Sequence, residues 1–168
     1  MQLRVIFDTN IYGNIVLEKN VQEFLEKIKT DKDFIVYGFG LIRKELRDTP
    51  KKERIGTLNT RNYLLGVYDA IIGKHYFENS TKIDYLARKF YNHYRTVGGI
   101  YPWDRVKVDM TIVACACMNS LGVVYSDDES TLASKSAQKA YKHITMKENL
   151  TVPTFYKYKD LKEKYNIK

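Results

Sequence analysis

Short apolar runs separated by helical patterns are the feature that most constrains the fold of this chain. Three runs rich in β-branched and aromatic residues, Leu3 to Phe7, Phe34 to Tyr37 and Val123 to Tyr125, each have the length of one buried strand. A later strand is predicted around 152–156. Strands that alternate with helices predict βαβ units, so we expect an α/β protein with a mostly parallel sheet and helices on both faces.

Helical periodicity fills the segments between these runs. The clearest example is the stripe formed by Val21, Phe24, Leu25 and Ile28, with charged residues on the opposite face. A second helix carries Leu41, Ile42 and Leu46 and ends before Pro50. Further helices are predicted over 58–72 and 82–95, after Asp104 as an N-cap, and in the lysine-rich closing segment.

The length of 168 residues predicts one domain spanning 1–168. The segment 50–102 has little strand signal, and we expect it to be a helical excursion within that domain, packed at one edge of the sheet. Cys115 and Cys117 lie in one apolar run, which excludes a disulfide framework and a four-ligand zinc site built from cysteines. The amino terminus becomes charged too early for a signal peptide, and no run has the roughly 18 apolar residues of a membrane span, so we expect a cytoplasmic protein.

A net charge of +8 indicates a polyanionic partner, because clustered lysines and arginines release counterions when they meet phosphates. The same charge could serve only to keep the protein in solution. The 14 tyrosines are compatible with stacking on unpaired bases, although packing at the edge of the core explains most of them equally well.

Acidic residues at four positions carry the functional prediction. Asp8 directly follows the first strand, and Asp128 follows the strand that ends at Tyr125. Open parallel sheets bind their ligands at the carboxyl ends of the strands, where both residues are expected. Taken singly, each aspartate could instead be the N-cap of the next helix.

The other two acids lie on predicted helices. Glu45 follows Ile42 by three residues, and Asp109 precedes Ile112 by three, so both are predicted to share the inward face of their helix. A buried carboxylate is costly unless it is paired, protonated or bound to a metal. A salt bridge to Arg43 or Arg105 would explain one such acid, whereas four acids together favour a shared cation. An all-oxygen ligand set favours Mg²⁺ or Mn²⁺ over zinc, and these ions suit phosphodiester hydrolysis.

The ordered set of motifs resembles the PIN domain nucleases. It consists of Phe7-Asp8-Thr9-Asn10 after a strand, Arg43-Lys44-Glu45-Leu46 on a helix, the run from Asp109 to Ala116, and Ser126-Asp127-Asp128 after a strand. The resemblance implies a three-layer α/β/α fold and Mg²⁺- or Mn²⁺-dependent cleavage of RNA by one or two ions. It also implies either the toxin of a toxin–antitoxin pair of the VapC kind, bound by a small antitoxin protein, or an RNA-processing enzyme, and it makes a homodimer an expectation.

Carried over residue by residue, the resemblance assigns the metal to an acidic quartet: Asp8, Glu45, Asp109 and Asp128. Glu45 would bind the ion directly or orient the attacking water. Asn10 and Ser126 match polar positions that orient these acids or the water. The family pattern favours Asp128 as the fourth acid, with Asp127 as the alternative.

Basic residues around Glu45 are predicted to contact RNA phosphates, although a solvated charged face is the simpler alternative. They are Arg43, Lys44, Arg47, Lys51 and Lys52. A different class of function, a non-catalytic RNA-binding or assembly module, would also fit the fold. The four acids argue against it, because a module without catalysis gains nothing from buried charges.

Overall fold

A computed structural model describes residues 2–167 of the chain. The strands are β1 (Leu3–Phe7), β2 (Phe34–Phe39), β3 (Arg54–Ile55), β4 (Leu58–Asn59), β5 (Tyr76–Phe77), β6 (Val123–Tyr125) and β7 (Thr154–Tyr156). The helices are α1 (Thr9–Ile15), α2 (Val21–Thr30), α3 (Gly40–Arg47), α4 (Thr60–Ile72), α5 (Thr81–Thr96), α6 (Trp103–Met118), α7 (Lys135–Lys147) and α8 (Tyr158–Tyr165).

The central sheet has five strands in the order β5-β2-β1-β6-β7, and every neighbouring pair is parallel. This confirms the predicted α/β class. Phe7 is paired with Tyr125, so β1 and β6 end side by side. The chain order reverses between β1 and β6, and parallel α/β sheets place ligands at such a reversal.

Helices cover both faces of the sheet. The helices α1, α2 and α8 contact one another or α4, whereas α5 packs on both α6 and α7. Right-handed crossovers place α1, α2 and α4 on one face and α5, α6 and α7 on the other, and α8, which follows the last strand, joins the first face by its contact with α2. The aromatic core follows this division, with Phe34 packing edge-on against Tyr125 and Tyr165, and Phe90 packing edge-on against Tyr141. The single domain over 1–168 stays a prediction.

The middle segment 50–102 is largely helical, as predicted, but it also supplies strands. A two-stranded hairpin, β3–β4, precedes α4, and β5 forms an edge of the central sheet. The helix α4 lies close against β2, where the Tyr68 hydroxyl accepts a 2.9 Å hydrogen bond from the Phe39 amide. A Cβ at Gly38 would collide with the Tyr68 hydroxyl, so only glycine permits this approach.

Two helix predictions need correction. The N-cap of α6 is Pro102, and Asp104 lies inside the first turn, where its carboxylate pairs with Lys107 at 3.1 Å. A carboxylate in the first turn still favours the positive end of the helix dipole, which explains the misplaced boundary. The predicted helix over 58–72 begins at Thr60, because Leu58 and Asn59 pair in β4. Among the helices of residues 2–167, none combines the length and apolarity that crossing a membrane requires.

Candidate metal centre

The two strand-end aspartates lie beside the reversal in the sheet. Asp8 is the N-cap of α1, and its carboxylate accepts a 2.7 Å hydrogen bond from the Thr9 amide. The Asp8 amide in turn donates to the Tyr125 carbonyl, which ties the end of β1 to β6. The capping role and the predicted site position therefore coexist in Asp8, rather than being alternatives.

Asn10 and Ser126 hold the Asp8 carboxylate. The Ser126 hydroxyl and the Asn10 side-chain amide each donate a 2.7 Å hydrogen bond to Asp8 Oδ2. The Asn10 amide also reaches the Ser126 hydroxyl at 3.2 Å, so the three side chains form a closed network. Asp8 and Ser126 are 6% and 3% exposed, and this burial keeps water from competing for the network.

Of the two consecutive aspartates after β6, Asp128 is the one that interacts electrostatically with Asp8 and Asp109. Its amide donates a 3.0 Å hydrogen bond to the Ser126 hydroxyl, and its carboxylate accepts bonds from Thr131. The Asp127 carboxylate serves a different purpose. It accepts from the Tyr158 amide at 2.8 Å and from the Asn14 side chain at 2.7 Å, and so joins the start of α8 to α1.

The third acid, Asp109, lies on α6 among buried residues and is itself half-buried. Glu45, on α3, is exposed, so its predicted inward orientation is wrong. The buried residues of α3 are Ile42 and Leu46, and Glu45 falls at the margin of their stripe. The Thr9 hydroxyl donates to Glu45 Oε2, which fixes this carboxylate next to the residue that follows Asp8.

Burial and mutual repulsion shift the protonation of two of the acids. Desolvation by burial, with repulsion from Glu45 and Asp128, raises the pKa of Asp8 to about 6 despite the hydrogen bonds from Ser126 and Thr9. Desolvation by burial also raises the pKa of Asp109 to about 7, with added repulsion from Asp8, Asp128 and Glu45, while Thr131 acts in the opposite sense. The four acids named from the sequence therefore belong to one electrostatic cluster.

Asp128 behaves differently from its buried neighbours. Although burial opposes ionisation, hydrogen bonds from Thr131 and Ser130 outweigh it and lower the pKa of Asp128. The carboxylate accepts 2.9 Å bonds from both backbone amides, so its charge is already stabilised by the turn that follows β6.

The donor chemistry of the cluster fits a hard divalent cation. Within residues 2–167, none of the four acids forms a salt bridge to lysine, arginine or histidine. Across the same residues, no three acidic, histidine or cysteine side chains converge tightly enough to form a ready-made metal cage. Mg²⁺ does not require one, because it retains several waters and is usually held by one or two carboxylates.

The basic residues predicted to bind RNA differ in their surroundings. Arg43 forms a two-point ion pair with Asp69, with both N–O distances at 3.1 Å. The other four are exposed on or just after α3: Lys44, Arg47, Lys51 and Lys52. Arg105, considered as a partner for a buried acid, lies instead with its guanidinium 5.9 Å from the centre of the Tyr101 ring.

Two threonines of the site were missed by the sequence analysis. Thr9 positions Glu45, and Thr131 contacts Asp128 through both its amide and its hydroxyl. A signal for Thr131 was present, because an aspartate followed after two and three residues by Ser130 and Thr131 is typical of a side-chain-capped turn. No local pattern indicated the contact between Thr9 and Glu45, which joins two separate helices.

Comparison with known proteins gives a likeness of fold. No family model and no curated protein matches this sequence. The chain is similar to one in the crystal structure of VapBC2 from Rickettsia felis bound to a DNA fragment from their promoter, with a TM-score of 0.59 and 11% identity. The likeness covers 92% of this chain and 98% of that chain. Together with the parallel five-stranded sheet, it shows that this protein has a three-layer α/β/α fold of the PIN-like type.

Proposed function

We propose that this protein is a metal-dependent endoribonuclease that hydrolyses phosphodiester bonds of RNA. The observation that carries the proposal is the pair formed by Asp8 and Asp109. Both have a raised pKa, and each is repelled by the same two further carboxylates. Such an arrangement costs stability in the absence of a cation, so a functional ligand of positive charge is the simplest reason for it.

Three acids would supply the ligands of Mg²⁺ or Mn²⁺, one or two of them directly and the rest through waters of the ion: Asp8, Asp109 and Asp128. Glu45 would either bind the ion or orient the attacking water, because it is exposed and is held by Thr9. A bound ion of this type lowers the pKa of water and neutralises charge on phosphoryl oxygens. Asn10 and Ser126 act through Asp8, whose carboxylate they orient with two hydrogen bonds.

The choice of RNA as substrate rests on charge and position. The chain carries a net charge of +8, and exposed Lys44 and Arg47 flank Glu45 on α3. Cations at the rim of an acidic site attract a phosphate chain, and a metal ion bound by the acids strengthens this attraction by neutralising their charge. RNA binding and metal binding are therefore expected to reinforce each other.

The biological role best supported is that of the toxin in a toxin–antitoxin pair. The support is the similarity in fold to a chain of the VapBC2 complex, which extends over nearly the whole of both chains. The partner would be a small antitoxin whose basic side chain occupies the acidic site in place of the cation. A homodimer remains an expectation from the resemblance.

The test is cleavage of single-stranded RNA in Mn²⁺, in Mg²⁺ and in excess EDTA. We expect cleavage with either ion and none in EDTA. Asp109→Asn should lower the cleavage rate by more than about 100-fold, since removing a side chain that only hydrogen-bonds to a metal ligand already lowers activity by about 10–100-fold. Asp104→Asn is the matched control, because Asp104 is exposed on the same helix five residues earlier. RNA binding without cleavage at any metal concentration would contradict the proposal and favour a non-catalytic module.

The toxin role has a separate test in cells. Expression of the wild-type chain should arrest growth, and expression of Asp109→Asn should not. Co-expression of a short neighbouring gene with a DNA-binding segment should relieve the arrest. An active nuclease that leaves growth unchanged would instead support the RNA-processing role.

A further inference from the structure

A groove beside the acidic cluster has the composition of a nucleobase subsite. It has a volume of ≈ 420 Å³ and lies between α3, the start of α6 and the segment that links β5 to α5. Glu45 lines it, so the groove begins at the proposed metal centre. Leu41 and Val108 supply apolar lining, and Trp103 supplies an aromatic ring.

Trp103 is held in place by two side chains that are not among the lining residues of the groove. The Arg88 guanidinium lies 3.7 Å from the centre of the indole ring, and Tyr91 packs edge-on against it at 5.3 Å. An indole fixed in this way offers a rigid aromatic surface at little entropic cost. Proteins that bind single strands use such surfaces to stack unpaired bases with little dependence on sequence.

Asn79 supplies an acceptor that has no donor within the described residues. Its side-chain amide nitrogen donates a 2.8 Å hydrogen bond to Asp84 Oδ1, which fixes the orientation of the amide because a carboxylate can only accept. Asn79 Oδ1 is therefore the free end, and it is buried without a partner. A buried acceptor of this kind requires a donor to avoid a penalty, and each RNA base carries an N–H donor on its Watson–Crick edge.

The charges in the groove also suit a base more than a phosphate. Lys107 is paired with Asp104, and three carboxylates line the groove beside Lys44: Glu45, Asp48 and Asp84. A phosphate would be repelled by this surface, whereas the N–H donors of a base would be accepted. Lys44 remains at the rim to contact the backbone that leaves the groove.

We propose that this groove binds one unpaired RNA base, stacked against Trp103 and donating an N–H to Asn79 Oδ1, next to the scissile position. The inference rests on the proposed nuclease function, since it treats Glu45 as the junction between base and metal. It assigns to Asn79 a role in binding the substrate rather than in catalysis.

The experiment uses the protein's own reporter, because Trp103 is the single tryptophan of the chain. Wild-type protein in EDTA is titrated with a hexaadenylate RNA, with its fully abasic counterpart, and with a hexamer of purine riboside that lacks only the amino donor. We expect saturable quenching by hexaadenylate, none by the abasic chain, and about 2- to 10-fold weaker binding of the purine riboside hexamer, as for the loss of one neutral hydrogen bond.

The Asn79→Ala variant removes the proposed acceptor from the protein, as the purine riboside hexamer removes the donor from the RNA. It should weaken hexaadenylate by the same factor and leave the purine riboside hexamer unchanged, whereas Asn92→Ala, an exposed asparagine on α5, should change neither. Equal quenching by the abasic chain, or no quenching by RNA, would overturn the base subsite. The peptide hexalysine is titrated as a further probe, and quenching by this peptide alone would also overturn the base subsite and assign the groove to a protein partner.

Failure of the subsite is distinguishable from failure of the nuclease. Cleavage in Mn²⁺ that depends on Asp109, without any quenching of Trp103, would overturn the subsite and leave the nuclease standing. Base-dependent quenching in a protein that never cleaves RNA would support the subsite and overturn the nuclease function.

Discussion

The Ser126 hydroxyl donates a 2.7 Å hydrogen bond to Asp8 Oδ2, although the two residues lie 118 positions apart in the chain. The bond crosses from the end of β6 to the end of β1, the two strands between which the chain order reverses. It lowers the pKa of Asp8 against the effect of burial. The position and the charge of Asp8, the first proposed ligand, therefore depend on a residue that is distant in the sequence.

Replacement of this serine should reveal its positioning role. Ser126→Ala is expected to reduce RNA cleavage by about 10- to 100-fold, the usual effect of losing a side chain that hydrogen-bonds to a metal ligand. Because the lost bond raises the pKa of Asp8 further, the acid limb of the pH–rate profile should move to higher pH. Ser126→Thr keeps the hydroxyl and should restore the profile. A fall in rate with an unmoved profile in Ser126→Ala would argue for a merely structural effect.

Adjacent aspartates allow a direct test of the motif register. Asp128→Asn should reduce cleavage by more than about 100-fold. The turn should stay intact, because the remaining side-chain oxygen still accepts from the backbone amides of Ser130 and Thr131. Asp127→Asn should leave cleavage within about threefold and cost about 0.5–1.5 kcal/mol of stability, because it disturbs the bonds to Asn14 and Tyr158. Cleavage rates and urea denaturation of both variants provide the comparison, and the opposite pattern would assign the site to Asp127.

The raised pKa of Asp109, about 7, predicts a pH-dependent penalty in the metal-free protein. A carboxyl group whose pKa is higher in the folded state stabilises the fold below its unfolded pKa of 3.8, and this contribution is lost as pH rises through about 7. In EDTA at pH 8, Asp109→Asn should therefore be more stable than wild type by about 1–2 kcal/mol, or about 2–8 °C.

The stability difference between wild type and Asp109→Asn should shrink toward zero near pH 4. It should also reverse in sign when Mn²⁺ is added at pH 8, because only the wild type gains binding energy from the ion. Thermal unfolding of the two proteins across this pH range, with and without Mn²⁺, measures both effects. A variant less stable than wild type in EDTA at pH 8 would contradict the electrostatic interpretation of the cluster.

A second pH effect is expected from His93 and His143, whose rings stack at 3.9 Å between α5 and α7. Burial, His143 and then Lys147 lower the pKa of His93 from its ordinary value. The neutral ring is thus favoured in the fold, and stability is lost as pH falls below about 6.5, where the unfolded histidine binds its proton.

His93→Gln should therefore reduce the loss of stability between pH 7.5 and 5.5, measured by urea denaturation in EDTA, and solvent screening at this partly exposed ring keeps the difference small. His75→Gln is the control, because His75 packs beside Tyr37 of β2 and, within residues 2–167, its ring stacks on no other histidine. An equal effect of both substitutions would show that the stacked pair has no special role.

Local pattern was sufficient where burial and periodicity agree. The bounds predicted for β1 and β6 match those of the structure, and Val21, Phe24, Leu25 and Ile28 form the buried face of α2. In these segments the hydrophobic effect acts on neighbouring residues, so a short window contains the necessary information. The α/β class followed from the alternation of such segments.

Elements with weak local preference were missed. The helix α1 is short and contains Gly13, and it depends on the Asp8 cap and on burial of Ile11, Tyr12 and Ile15. The helix α7 was not predicted, although Ser134 caps it and Ala137 and Tyr141 form its buried stripe. The strand β5 has two residues and exists only because β2 offers it a partner.

The sequence by itself determined the α/β class, the residue types of the acidic cluster and the positions of Asp8 and Asp128 after their strands. Only the tertiary structure decided that Asp109 is repelled by both of them, that Glu45 lies exposed and held by Thr9, and that Asn10 and Ser126 share one oxygen of Asp8. The physical reason is the separation along the chain over which each interaction acts. Hydrophobic periodicity acts between residues a few positions apart, whereas repulsion and hydrogen bonding between side chains depend on distances that the chain sets only after it has folded.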